Sequence, residues 1–178
     1  MNFNQTIIDK LDAILSAHYF VLTEQFKGSL KYENNGFYFS FTRDPREQMD
    51  VFWVGRHDGF PIEINNKILS EFFNSEIKIE QKTMDEFALN VYEFLRTNGM
   101  RLLQAKEQDY LALEYFSEKQ SEEYTSEILE RQYLDAANKA WEKKNYSDVL
   151  KALSHIDKNR LSISFKQKYK ISKKRISH

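Results

Sequence analysis

The chain has 178 residues, of which 41% are hydrophobic and 15% aromatic, so it carries enough apolar surface for a packed core and is not a disordered segment. It has no cysteine, which excludes disulfides, thiolate metal sites and cysteine nucleophiles. The N-terminus lacks a signal-peptide pattern, and charged residues interrupt every apolar run before the length of a membrane span. We therefore expect a cytoplasmic protein without a membrane partner.

The first half of the chain predicts a helix followed by an antiparallel sheet. Apolar residues recur at helical spacing from about residue 4 to 18, with Asn4 as the expected N-cap. Residues 37–42 then alternate Phe with Tyr, Ser and Thr, and residues 49–55 form a second aromatic and β-branched strand. The intervening turns are too short for parallel crossovers, so we expect an antiparallel meander of three to five strands. Its shorter strands are expected at residues 19–23, 29–32 and 60–64.

The second half of the chain returns to a helical period. Thr83 and Glu86 form a capping-box pattern at the start of one helix. The sequence thus predicts an α+β fold, with the helix and meander in residues 1–82 and a helical region packed on them in residues 83–178. Further helices are expected at residues 102–144 with a break near 117–121, at 147–156 and at 164–175. The predicted core comprises Ile7, Leu11, Phe37, Phe39, Val51, Trp53, Phe87, Val91, Leu102, Leu111, Leu134, Trp141 and Leu150.

The net charge of −1 conceals a separation of charge along the chain. Residues 107–135 contain nine acidic and two basic side chains, whereas residues 139–178 contain twelve basic and three acidic ones. One interpretation is that these segments form neighbouring helices that neutralise each other; the other is that they face partners. The acidic residues predicted to bind a partner are Glu114, Glu118, Glu122, Glu123, Glu127 and Glu130. The basic tail, which could bind nucleic acid, comprises Lys166, Lys168, Lys170, Lys173, Lys174 and Arg175.

A dense polar cluster follows the third predicted strand. Arg43, Asp44 and Arg46 could bind an anion or an acidic group of a partner, or they could form a charged turn whose Asp bonds its own backbone. No nucleophile, phosphate-loop, dinucleotide or zinc motif occurs, and the four histidines lack the spacing of a helical metal pair. We therefore predict no catalytic residue, metal or cofactor. A third interpretation, beside protein binding and nucleic-acid binding, is an unfamiliar enzyme site around Arg43, Arg46 and His57.

Two resemblances carry further expectations. Within Glu127–Ile156, small and aromatic residues resemble part of a tetratricopeptide-type hairpin, which implies a helix–turn–helix packed on the rest of the protein. The residues that carry this resemblance are Ala137, Ala140-Trp141, Asn145-Tyr146, Val149-Leu150 and Leu153.

The layout of the whole chain also resembles small bacterial α+β proteins, some of them immunity proteins of toxin systems. This second resemblance implies a binding role for one protein partner, without catalysis. Segregated charge favours fast and specific association. The resulting prediction is a non-enzymatic protein-binding module of immunity type. The alternative is a nucleic-acid-associated protein that uses the basic tail.

Overall fold

The computed structural model describes residues 2–80 and 83–176, and it confirms the predicted α+β fold. None of the helices in these two ranges is long and apolar enough to cross a membrane. The elements are α1 (Phe3–Ala17), β1 (Val21–Phe26), β2 (Ser29–Asn34), β3 (Phe37–Asp44), β4 (Met49–Arg56), β5 (Ile62–Glu63), α2 (Asn66–Glu71), α3 (Met84–Arg96), α4 (Met100–Leu103), α5 (Glu107–Glu142), α6 (Tyr146–Leu153) and α7 (Ile163–Ile176).

The five strands form one antiparallel sheet in the order β1-β2-β3-β4-β5. Each strand pairs with its neighbour in sequence, as the short connections predicted. The edge strand β1 is almost entirely exposed to solvent, and its pairing with β2 shifts by one residue between Leu22 and Glu24. The opposite edge is β5, which has only two residues.

The inner face of the sheet carries four buried aromatic residues, Tyr32, Phe39, Phe41 and Phe52. Phe39 pairs with Val54, and Phe41 pairs with Phe52, so the buried residues of β3 and β4 lie side by side. The same register places Trp53 opposite Ser40 on the outer face. The prediction that Val51 and Trp53 belong to the core was therefore wrong, because side chains alternate between the two faces and a one-residue error inverts a whole strand.

Helices α1 and α3 pack against each other and contact the sheet. The start of α3 is as predicted, since Thr83 accepts a hydrogen bond from the Glu86 backbone at 3.3 Å. The start of α1 differs, because its N-cap is Asn2. Asn4 instead binds the turn between β1 and β2: its amide donates to the Phe26 carbonyl at 2.6 Å, and its oxygen accepts from the Gly28 backbone at 3.1 Å. The first turn of α1 is therefore fastened to this turn.

The described residues form two compact units, one up to Glu118 and one from Lys119 onward. The boundary falls inside α5, where the expected break near residues 117–121 is absent and the helix is continuous. The second unit contains a separate apolar cluster around Ala137, Val149 and Leu153. A helix–turn–helix is thus present where the sequence predicted one, with α7 packed against α6.

Outside β4, the prediction of core residues is confirmed only in part. Leu111 is 45% exposed, while Tyr110 and Leu113 on either side of it are buried, so α5 presents a different face to the core. Leu150 is half-buried, because Val149 and Leu153 supply the buried face of α6. Phe37, Leu134 and Trp141 are half-buried and pack against their clusters. The remaining predicted core residues are buried: Ile7, Leu11, Phe39, Phe87, Val91 and Leu102.

Candidate functional site

The outer face of the sheet carries an open groove with a volume of about 440 Å³. Its walls come from three neighbouring strands and from the loop that follows β4, all within the first unit. Aromatic, hydroxyl and cationic side chains converge there. We call this feature the outer-face groove, and its lining residues are Lys31, Tyr38, Ser40, Thr42, Trp53, Arg56, His57, Gly59 and Pro61.

Two aromatic side chains lie in this groove in fixed positions. The ring of Tyr38 lies over Gly55 of the paired strand, where a Cβ atom would come within 2.6 Å of the Tyr38 hydroxyl oxygen. Burial raises the pKa of the Tyr38 hydroxyl. The indole N–H of Trp53 donates to the Thr42 hydroxyl at 3.2 Å. Each ring thus has a contact within the folded sheet: Tyr38 with Gly55 and Trp53 with Thr42.

Charged groups surround the aromatic rings and are themselves paired. Lys31 Nζ lies 2.6 Å from Glu33 Oε1 and 5.0 Å from the centre of the Tyr38 ring. The hydrogen bond between Lys31 and Glu33 raises the pKa of the lysine and lowers the pKa of the carboxyl. The same carboxylate lies 3.2 Å from His57 Nε2. This end of the groove thus presents a compact network of positive, negative and aromatic groups.

Arg56, at the end of β4, also lines the groove. Its Nε and Nη2 donate to the two carboxylate oxygens of Glu114 at 3.0 and 3.1 Å, a bidentate arrangement that fixes the guanidinium plane. The hydrogen bonds that Arg56 donates to Glu114 also raise the pKa of Arg56. Asp58 and Glu107 lie within 3.5 Å of the same guanidinium. Glu114, which the sequence assigned to a partner surface, is therefore engaged inside the first unit.

The loop after β4 adds an exposed aromatic residue. Phe60 lies between two lining residues, Gly59 and Pro61, and is 86% exposed. An isolated exposed apolar residue is ordinary, but this one adjoins a groove that already contains Trp, Tyr and Arg. Those three residue types are the ones most enriched among the side chains that dominate binding energy at protein interfaces.

The polar cluster of Arg43, Asp44 and Arg46 forms a structural turn between β3 and β4. The Asp44 carboxylate accepts hydrogen bonds from the backbones of Arg46 and Glu47 at 2.7 and 3.3 Å, while the Arg46 side chain is exposed. Arg43 pairs with Asp50 at 2.8 Å. In the paired strands, Arg43 lies six residues from the end that His57 follows, which is about 20 Å. Arg43 and His57 are therefore too far apart to form the enzyme site that was the third interpretation of the sequence.

The remaining acidic residues have mixed environments. Glu118, Glu122, Glu123 and Glu127 are exposed, whereas Glu130 pairs with Arg160 at 2.9 Å. All nine residues from Ser121 to Leu129 are exposed, so this stretch of α5 has no buried face. Three of the exposed side chains in this stretch are large and apolar or aromatic: Tyr124, Ile128 and Leu129.

The basic tail is divided between packing and exposure. Lys168 donates to the Asn138 side chain at 2.6 Å and lies 5.9 Å from the centre of the Trp141 ring, so it belongs to the packing of the second unit. Lys166, Lys170, Lys173, Lys174 and Arg175 are exposed.

Sequence patterns did not indicate the outer-face groove. Tyr38 and Trp53 were noticed only as strand residues, and Trp53 was assigned to the core. The available signal was the polar side of β3, where Tyr, Ser and Thr alternate with buried Phe. Within residues 2–80 and 83–176, no three His, Asp or Glu side chains are arranged to hold a metal ion. No protein-family model, curated protein or solved structure matches this chain.

Proposed function

We propose that this chain is a protein-binding module that contacts its partner through the outer-face groove. One observation carries the proposal: Trp53, Tyr38 and Arg56 converge in an open groove beside the exposed Phe60. Buried aromatic and Arg anchors supply most of the binding energy in protein interfaces, and a groove of this composition offers them.

Preorganisation strengthens this proposal. Binding normally costs about 0.5–1.5 kcal/mol for each flexible side chain that must be ordered. Here the Tyr38 ring packs against Gly55, Trp53 donates a hydrogen bond to Thr42, and Arg56 donates hydrogen bonds to Glu114. Much of that ordering cost is therefore met by folding, which leaves more of the contact energy for affinity.

Within this class we propose an inhibitor of immunity type, acting in the bacterial cytoplasm on a basic toxin. The exposed acids Glu118, Glu122, Glu123 and Glu127 support a basic partner, because charge complementarity accelerates encounter. The resemblance in layout supports the immunity role.

The test is affinity capture from native lysate with the full chain, with and without nuclease, followed by mass spectrometry. Phe60→Ala and Trp53→Ala remove groove anchors, and Leu89→Ala, 45% exposed on α3, is the matched control outside the groove. We expect one stoichiometric protein that survives nuclease, is retained by the control and is lost with both groove variants. Capture that both groove variants leave unchanged would refute the groove, and the absence of any stoichiometric protein would refute the binding module.

One observation favours a second candidate, nucleic-acid binding by α7. Lys166, Lys170, Lys173 and Lys174 occupy one face of this helix, which contains no acidic residue. Four phosphate contacts predict that affinity for duplex DNA falls roughly 100-fold between 50 and 200 mM salt.

Fluorescence anisotropy with a labelled duplex would measure this salt dependence. The double variant Lys170→Gln/Lys174→Gln should reduce the slope by about half, and Lys10→Gln should leave it unchanged. Binding that is independent of salt, or equal in the double variant, would eliminate this candidate.

A further inference from the structure

A second cavity lies at the opposite end of the strands from His57. Its volume is about 740 Å³, which is within the range of small-molecule sites. It is formed where the start of α1, the turn between β1 and β2, the end of β3 and the start of α3 meet. Six of its lining residues matter for the argument: Phe3, Asn4, Lys27, Arg43, Pro45 and Met84.

The ionisable side chains that line this cavity are both cations. Lys27 is exposed, and no ion pair of the described residues engages it. Arg43 is 23% exposed. Among the described lining residues there is no carboxylate, although Asp50, outside the lining, pairs with Arg43.

Arg43 is held in place by a carboxylate behind it. Its Nη1 donates to both oxygens of Asp50, at 2.8 and 3.0 Å, and the Asp50 side chain is only 3% exposed. Within residues 2–80 and 83–176, no hydrogen bond engages Nε or Nη2 of Arg43, so these atoms can donate to another acceptor. A guanidinium with one edge anchored and another available is suited to recognise a planar oxyanion.

The walls of the cavity are already ordered. Asn4 fastens the turn that carries Lys27 through its bonds to Phe26 and Gly28. The first turn of α1 lines the same space, and the partial positive charge of its backbone N–H groups adds to that of the side chains. Apolar surface from Phe3, Pro45 and Met84 completes the lining.

We propose that this cavity binds a small organic anion, with its carboxylate or phosphate between Arg43 and Lys27 and its apolar part against Phe3 and Met84. The site is separate from the outer-face groove and shares no lining residue with it. It gives the chain a ligand-binding capacity that does not depend on the protein-binding role.

The experiment titrates phenyl phosphate and benzoate into the ¹⁵N-labelled full chain, with uncharged benzyl alcohol as the neutral analogue. We expect at least one anion to bind saturably, with the largest shifts at the backbone amides of Phe3, Asn4 and Gly28. Benzyl alcohol should bind at least tenfold more weakly. Saturable binding by neither anion, or equal binding of the neutral analogue, would overturn the proposal.

Variants locate the site. Lys27→Gln should weaken binding at least fivefold, whereas Lys106→Gln, an exposed lysine outside the lining, should not change it. Arg43→Gln alone would leave Asp50 buried and unpaired, so the double variant Arg43→Gln/Asp50→Asn is used to preserve folding. It should weaken binding at least tenfold. Affinity unchanged by both the Lys27 variant and the double variant would place the anion elsewhere and refute the site.

Discussion

Two adjacent residues of β4 provide a direct test of which face of the sheet is buried. Phe52 is fully buried; its ring stacks on Phe41 at 5.0 Å and meets Phe39 edge-on at 5.7 Å. Removing a buried Phe side chain costs about 3–5 kcal/mol, so we expect Phe52→Ala to lower the free energy of unfolding by about 4 kcal/mol. Trp53 lies on the outer face, so Trp53→Ala should cost only about 1 kcal/mol, although Trp is the larger side chain.

Urea denaturation followed by far-UV circular dichroism measures the difference. With a slope of about 2 kcal/mol/M, the midpoint should fall by about 2 M for Phe52→Ala and by about 0.5 M for Trp53→Ala. If Phe52→Ala does not fold, Phe52→Leu replaces it, with an expected loss of about 1–2 kcal/mol. A Trp53→Ala variant destabilised as much as Phe52→Ala would refute the assigned face and, with it, the outer-face groove.

Three further substitutions test local features of the fold. Thr83→Ala removes the side-chain cap of α3 and should cost about 1 kcal/mol in urea denaturation, and an unchanged midpoint would contradict the cap. Gly99→Ala would place a Cβ atom 2.7 Å from the buried Phe94 ring, so we expect a loss of about 1–3 kcal/mol, measured by thermal unfolding; a neutral result would mean that the ring can move aside. Glu33→Gln should destabilise by less than about 1 kcal/mol at pH 7. Because Lys31 lowers the pKa of the Glu33 carboxyl, this contribution is present above its ordinary pKa and is lost as the pH falls through the lowered value; the two proteins should therefore converge in acid, and a constant difference down to pH 3 would contradict the pairing.

The sequence predicted the face of β3 but could not predict that of β4, for a physical reason. In β3, Phe residues alternate with Tyr, Ser and Thr, so only one face is fully apolar. In β4, Val51 and Trp53 are as suited to a core as Phe52 and Val54. The choice is made by the register with β3, which places Phe52 beside Phe41. Register is a non-local property that a single strand does not contain.

The outer-face groove was hidden for a related reason. Arg56 and Glu114 are separated by 58 positions in the chain, and nothing local to either residue indicates that they meet. The break predicted in α5 was an error of local reasoning. Serine lowers helix propensity by only a few tenths of a kcal/mol, and residues 117–121 contain neither Gly nor Pro, so nothing there interrupts the helix. The capping box at Thr83 was predictable because it depends on a fixed short spacing.

The one-residue shift in β1 has a consequence for how the protein behaves at high concentration. An exposed edge strand offers unpaired backbone groups on which another chain can add a strand and begin to aggregate. The shift after Leu22 interrupts the regular spacing of those groups, and the regularly paired stretch beyond it, from Glu24 to Phe26, has only three residues. Segments that assemble into stable fibrils usually need six or seven regular residues. The irregular edge therefore protects the sheet from self-templated growth, and straightening β1 would remove that protection.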